Sequence, residues 1–252
     1  MGNGAADGSN GGRECEPGYG RTVVVLFVRH PVPGKVKTRL ARDLGPDDAC
    51  SLYKAMVEDA LAGAGESGYP LHLYHDGRDE SGLPRSWMER AHQVCRQQGE
   101  TLGERMCRAV EASFDAGFAR VIVSGSDIPG MDGRLLMEAS LALQGSSVVI
   151  SPAADGGYCL IGVRKSDFSS MLFSDIPWST SRVMESTLAA CASGRLSCRL
   201  LEGRRDIDTL ADIHAYCREP STGASATNRW LAANGFITRL PMDFPLNSPA
   251  PP

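Results

Sequence analysis

Four stretches of this 252-residue chain carry charged residues that could act together on a phosphate-bearing molecule. Asp127 stands in R-V-I-V-S-G-S-D-I-P-G, residues 120–130. The run Val121–Val123 suits a buried strand, and Pro129 with Gly130 forbids an immediate helix, so Asp127 belongs to a loop at the carboxyl end of that strand. In open α/β sheets that edge is where ligands bind, and a carboxylate there is placed to hold a divalent cation. An Asx turn closing the strand explains the same residue equally well. Lys35, Lys37 and Arg39 follow Pro33-Gly34 in P-V-P-G-K-V-K-T-R-L, residues 31–40. Three cations at a helix start are disfavoured by the macrodipole, which favours a bound anion such as a polyphosphate. Asp206 and Asp208 share one face if their segment is extended and could complete a metal site with Asp127; capping of the next helix accounts for one of them but not both. Asp155-Gly156-Gly157-Tyr158 reads as a tight turn or as a close approach of ligand to backbone. Arg105, just inside a helix, is within reach of a ligand or merely exposed. Trp178 is a stacking platform or a core plug.

The elements that must position these residues follow from period and punctuation. Strands are expected at Thr22–Val28, 70–75, 93–96, around 121–123, 147–150, up to Val163, and 197–201. Helices are expected from near Thr38 toward Ala62, where Gly45-Pro46 threatens a break, and at 85–90, 104–117 and 134–143. A further helix capped by Ser179 or Thr180 should reach about Ala192, another capped by Asp208 or Thr209 should cover 210–217, and a short one should lie near 227–233. Strand and helix alternate throughout, the pattern of an α/β domain.

Composition narrows the function. With 26 Lys+Arg against 30 Asp+Glu, net charge −4, no basic field argues for nucleic acid or an anionic membrane. No apolar run approaches the ~20 residues that span a bilayer, and the N-terminus lacks a secretory h-region. The eight cysteines include no C-x-x-C and no His at zinc spacing, so free thiols in a reducing cytoplasm are expected. Residues 1–20 read as a disordered tail, 21–218 as the functional domain, and 219–252 as an extension with one short helix and a proline-rich tail.

Six motifs in register then carry a family likeness: residues 31–40, L-G-E-R-M at 102–106, G-S-D-I-P at 125–129, P-A-A-D-G-G-Y-C-L-I-G at 152–162, W-S-T at 178–180 and D-I-D-T at 206–209. Together they resemble the glycosyltransferase-like family of the arsenosugar-biosynthesis type, in the nucleotide-diphospho-sugar transferase superfamily with the GT-A fold. Thr101, where that family tends to have Asp, and Arg29, where it usually has Lys, depart from the pattern. The resemblance implies a three-layer α/β/α sandwich with a mostly parallel sheet. It also implies a nucleotide-sugar donor, a small-molecule acceptor, and Mg2+ or Mn2+ held by Asp127 with Asp206 or Asp208. Pro33, Gly34, Lys35, Lys37, Arg39 and Arg105 would then serve the nucleotide phosphates. Asp155 would be the acceptor-binding group or general base, and Gly156, Gly157, Trp178 and Thr180 would border the sugar or acceptor. A second likeness, of residues 35–44 and 206–213 to phospholactate guanylyltransferases, implies instead nucleotidyl transfer from a nucleoside triphosphate. A non-catalytic nucleotide- or sugar-binding module is the third expectation.

Overall fold

The apolar run TVVVLFV forms β1 (Thr22–Val28), and its two faces bury into different cores. In the computed structural model, which describes residues 21–129, 131–218 and 225–237, Val23 and Val25 point to one side of the sheet and Val24, Leu26 and Val28 to the other. A strand sandwiched this way needs apolar residues at every position, which is why β1 shows no alternation.

The sheet has seven strands: β2 (Leu71–His75), β3 (Gln93–Arg96), β4 (Arg120–Gly125), β5 (Val148–Pro152), β6 (Tyr158–Arg164) and β7 (Cys198–Leu200) join β1. Their order is β3-β2-β1-β4-β6-β5-β7. Only β6 runs antiparallel to its neighbours. This is the expected mixed α/β fold with a mostly parallel sheet. One face carries α2 (Pro46–Ser67), α3 (Arg85–Arg90), α5 (Gly133–Ala142), α7 (Leu210–Tyr216) and α8 (Ala226–Ala233); the other carries α4 (Leu102–Asp115) and α6 (Val183–Ser193).

Topology explains why distant residues meet. Val28 pairs with His75, and Phe27 with Gly125, so the loops that follow β1, β2 and β4 emerge side by side at the carboxyl edge. Because β6 is antiparallel, its beginning lies at that same edge, and the Asp155-Gly156-Gly157 turn joins it there to the end of β5. The chain leaving β7 stays beside β5, with Arg204 N–H donating to the Pro152 carbonyl, and brings Asp206 and Asp208 to the edge.

Three local expectations change. The helix anticipated from Thr38 starts instead at Ala41 as the single turn α1 (Ala41–Leu44) and restarts at Pro46 after Gly45, whose φ is 84°. Lys37 adopts φ 46°, and its carbonyl accepts from the Ala41 N–H at 2.9 Å, so residues 38–40 form a turn that leads directly into α1. Helix α6 begins at Val183, with Arg182 before it making no side-chain cap; the Thr180 hydroxyl donates to the Pro177 carbonyl at 2.7 Å and accepts from the Arg182 N–H at 3.3 Å, so it ties the turn that leads into the helix. Thr209 with Asp212 forms a capping box on α7, as expected, whereas α4 starts two residues before the expected Glu104, at Leu102, because the Thr101 hydroxyl accepts from the Glu104 N–H.

Helix α8, in the stretch set apart as an extension, docks on α2. The Asp59 carboxylate accepts from the Ala226 and Thr227 N–H groups, and Leu231 is fully buried. The tails 1–20 and 241–252 lie outside the described residues. Seven cysteines among the described residues are free thiols, and no described helix is long and apolar enough to cross a membrane.

Candidate functional site

Lys37 is the hinge of the site. Its side chain is only 4% exposed, and its ammonium donates to Asp208 Oδ1 at 2.6 Å and to Asp127 Oδ2 at 3.3 Å. Burying a bare ammonium is costly, so two carboxylates are the minimum arrangement that holds it. Burial works to lower the Lys37 pKa, but the charges of Asp127 and Asp208 outweigh it and raise the value above the usual lysine range. Burial likewise opposes ionisation of Asp127, and Lys37 overcomes that opposition and holds its carboxyl below the usual range. The Asp127 side chain is nonetheless 47% exposed, so one side of its carboxylate faces open space.

The loops are tied together behind this pair. The Tyr53 hydroxyl, on α2, accepts from the Arg29 N–H at 2.7 Å and bonds Ser126 Oγ at 3.1 Å, linking the loop after β1 to the loop after β4. Burial pushes the Tyr53 phenol up, so it stays a neutral strut. Asp206 completes the acidic edge. Burial, then Asp155, then Asp208 raise its carboxyl above the ordinary value, the signature of negative charge not fully compensated.

Two cavities open on either side of this edge. One, of about 500 Å3, is polar and is lined by Arg29, Lys37, Thr38, Arg39 and Tyr53. The other, of about 320 Å3, is walled by apolar side chains, among them Phe27, Leu102, Met106, Tyr158 and Trp178. Asp127, Asp155, Ser179, Thr180 and Asp208 line both, so the cavities are two halves of one cleft. Ser179, like Lys37, holds a positive φ (64°) without being glycine. Two such residues on one cleft mark backbone held in place by its surroundings.

The turn after β5 is built to fit this wall. Gly156 has φ 89°, and a Cβ there would run into the Ser181 carbonyl. The Asp155 carboxylate accepts from the Gly157 N–H at 2.8 Å while remaining exposed to the cleft. Gly103 serves the opposite wall: a Cβ would strike the Phe173 carbonyl and the Trp178 indole nitrogen, so α4 lies directly against Trp178. Tyr158 meets Trp178 edge-on at 6.2 Å.

The sequence candidates therefore divide. Asp127, Asp155, Asp206, Asp208, Lys37, Arg39, Gly157, Trp178 and Thr180 line the cleft, and Gly156 shapes it. Of the three cations expected to act as one cluster, Lys37 and Arg39 meet at Asp208 and Lys35 does not join them. Lys37 turns inward; Arg39, 71% exposed, stands 3.8 Å from Asp208 at the cleft mouth; Lys35 is exposed, and it, Pro33 and Gly34 line neither cavity. Arg105 braces the loop before α4, donating to the Gly99 carbonyl at 2.9 Å, and faces a separate cavity of about 310 Å3 with Arg96 and Arg108. Sequence reasoning missed Tyr53, which looks like one more apolar position on α2, and the apolar wall of Phe27, Leu102 and Met106. No local signal distinguishes these from core residues.

Whether the acidic edge suits a divalent cation is answered by its donors. Among the described residues no three His, Cys, Asp or Glu side chains converge as a ready-made metal site. However, Asp127 and Asp208 already grip one cation, the Lys37 ammonium, through oxygen atoms alone, and hard oxygen donors suit Mg2+ or Mn2+. The donor chemistry fits.

Comparison with known proteins bears on the fold and the family. The family model DUF2064, described as "Uncharacterized protein conserved in bacteria", matches residues 60–180. The crystal structure of a "putative nucleotide-diphospho-sugar transferase" from Desulfovibrio desulfuricans G20 is 36% identical; the match covers 84% of this chain and 94% of that one, with a TM-score of 0.79. The 4-diphosphocytidyl-2C-methyl-D-erythritol synthase of Anaerococcus prevotii DSM 20548 is 12% identical over 79% of this chain and 99% of its own (TM-score 0.52). A nucleotidyl transferase of Methanothermobacter is 17% identical over 85% and 99% (TM-score 0.51). These last two share the fold. No curated protein matches the chain. At 36% identity over nearly the whole of its relative, this chain belongs to the family of the Desulfovibrio desulfuricans protein, within the nucleotide-diphospho-sugar transferase fold.

Proposed function

We propose that the protein is a glycosyltransferase that uses a nucleotide-diphospho-sugar donor, a small-molecule acceptor and a divalent cation, of the kind its arsenosugar-type motifs resemble. The two-part cleft carries this reading. The polar half, with Arg29, Lys37 and Arg39, suits a diphosphate, and the apolar half against Trp178 suits the face of a sugar or an apolar acceptor. Asp127 and Asp208 lie where the halves meet, which is where a glycosyl–phosphate bond would be broken.

In this scheme Asp127 and Asp208 would hold Mg2+ or Mn2+, which when bound supplies Lewis-acid stabilisation of the departing diphosphate. Arg39 at the mouth adds a guanidinium for a phosphate oxygen. Asp155, exposed and fixed by the Gly157 N–H, is placed to orient an acceptor hydroxyl and take its proton. Trp178, clamped between Gly103 and Tyr158, offers a rigid face for stacking.

Nucleotidyl transfer from a nucleoside triphosphate is the second reading, favoured by the fold shared with the Anaerococcus and Methanothermobacter proteins. Incubating the protein with Mn2+ and a panel of nucleotide sugars and triphosphates separates the two. Release of nucleoside diphosphate from a nucleotide sugar is the expected result. Pyrophosphate release from a triphosphate would establish the second reading instead. Binding of these compounds without turnover of any would make the chain a binding module.

A further inference from the structure

The cation between Asp127 and Asp208 belongs to the chain itself. The Lys37 ammonium sits within hydrogen-bonding distance of both carboxylates, is almost sealed from water, and is carried by a backbone at φ 46°. An ordinary structural lysine does not need that backbone, because its long side chain reaches most partners from a relaxed conformation. The carboxylates remain 47% and 37% exposed to the cleft, so the ion pair is closed on the lysine side and open on the ligand side. The charged groups facing it are Arg39, 3.8 Å from Asp208, Arg29 beside Asp127, and across the cleft Asp155 and Asp206.

We propose that Lys37 is the resident counter-ion of the cation site, and that a divalent cation enters between Asp127 and Asp208 only by displacing its ammonium into the polar cavity. The inference rests on the metal-assisted reading above and assigns Lys37 a role in it that simple phosphate binding does not. Two cations cannot share the same pair of carboxylate oxygens without repulsion. A displaced Lys37 has one open direction, the polar cavity it already lines beside Arg29 and Arg39, where a phosphate would be its new partner. Lys37 thereby shields the two carboxylates from each other when the cleft is empty and makes cation binding weak until an anion arrives to receive it.

The test is a Mn2+ titration of the full chain, followed by calorimetry and by the loss of the free Mn2+ resonance, with no nucleotide added. Lys37→Met and Lys37→Gln should bind Mn2+ at least tenfold more tightly than the unaltered protein, about 1.4 kcal/mol. Adding Asp127→Asn to either should remove the gain. A crystal of the unaltered protein soaked in Mn2+ and inorganic pyrophosphate should show the ion between Asp127 and Asp208 with the Lys37 side chain turned into the polar cavity, a readout that does not depend on how the variants fold. Equal Mn2+ affinity with and without Lys37, or an ion bound while Lys37 keeps both carboxylates, would overturn the displacement and leave metal-assisted transfer standing. No Mn2+ bound by any of these proteins would overturn both.

Discussion

Asp206 and Asp208 lie two residues apart on one loop, yet their neutralisation should shift stability in opposite directions. Asp208→Asn removes the charge on the 2.6 Å bond to a Lys37 side chain that is 4% exposed. Hydrogen bonds to charged groups contribute about 1.5–3 kcal/mol. Asp208 is 37% exposed and Asp127 still holds the ammonium at 3.3 Å, so the lower part of that range applies, roughly 1.5–2 kcal/mol. For a chain of this size each kcal/mol moves the melting temperature by about 2–4 °C, so the loss should be about 3–8 °C. Asp206→Asn should do the reverse. Its folded-state pKa is raised by burial and by Asp155 and Asp208, so the folded protein binds this proton more tightly than the unfolded chain. Stability therefore falls as pH rises from the unfolded carboxylate value through the folded one, and the ionised group costs stability at neutral pH. Asn removes that cost, so the variant should melt higher than the parent at pH 7, and the difference should shrink steadily as pH falls toward and below the unfolded carboxylate value of about 3.9, where both states become protonated. Thermal unfolding of the parent and both variants at pH 7 and pH 3.5, without divalent cations, measures this directly. Equal shifts of the same sign at pH 7 would refute the partition of charge around Lys37.

Three further outcomes follow from the packing. Gly156→Ala should destabilise by more than about 1 kcal/mol, because φ 89° and the Ser181 carbonyl both oppose a Cβ, and the displaced turn should quench or shift Trp178 fluorescence. Tyr53→Phe leaves the Arg29 N–H without its 2.7 Å acceptor and should cost about 1–3 kcal/mol in guanidinium unfolding, with weaker nucleotide binding as the two loops loosen. Leu231→Ala should cost about 2–5 kcal/mol if α8 is part of the domain core, and a shift under 1 kcal/mol would make the helix an appendage.

The chain alone determined most of the secondary structure, and the reasons are local. β1 was legible to the residue because a strand buried on both faces must be apolar throughout, and Thr209 announced its helix because a hydroxyl just before a helix satisfies its free N–H groups. The carboxyl-edge position of Asp127 followed from the same kind of pattern. What only the tertiary structure decided is where the charges go. Lys35, Lys37 and Arg39 are equivalent by spacing, but Lys37 alone turns inward, because its partners Asp127 and Asp208 arrive 90 and 171 residues later through the sheet. Lys37 makes that pairing from a backbone at φ 46°, and a turn over residues 38–40 leads into the first helix at Ala41. Arg105 looks like a ligand residue in sequence, yet it braces its own loop toward a different cavity, since helix α4 presents it away from Asp127. Long-range charge pairing and helix orientation leave no periodic trace, so the sequence could name several members of the cleft, Asp127, Lys37 and Asp208 among them, without showing that they hold one another.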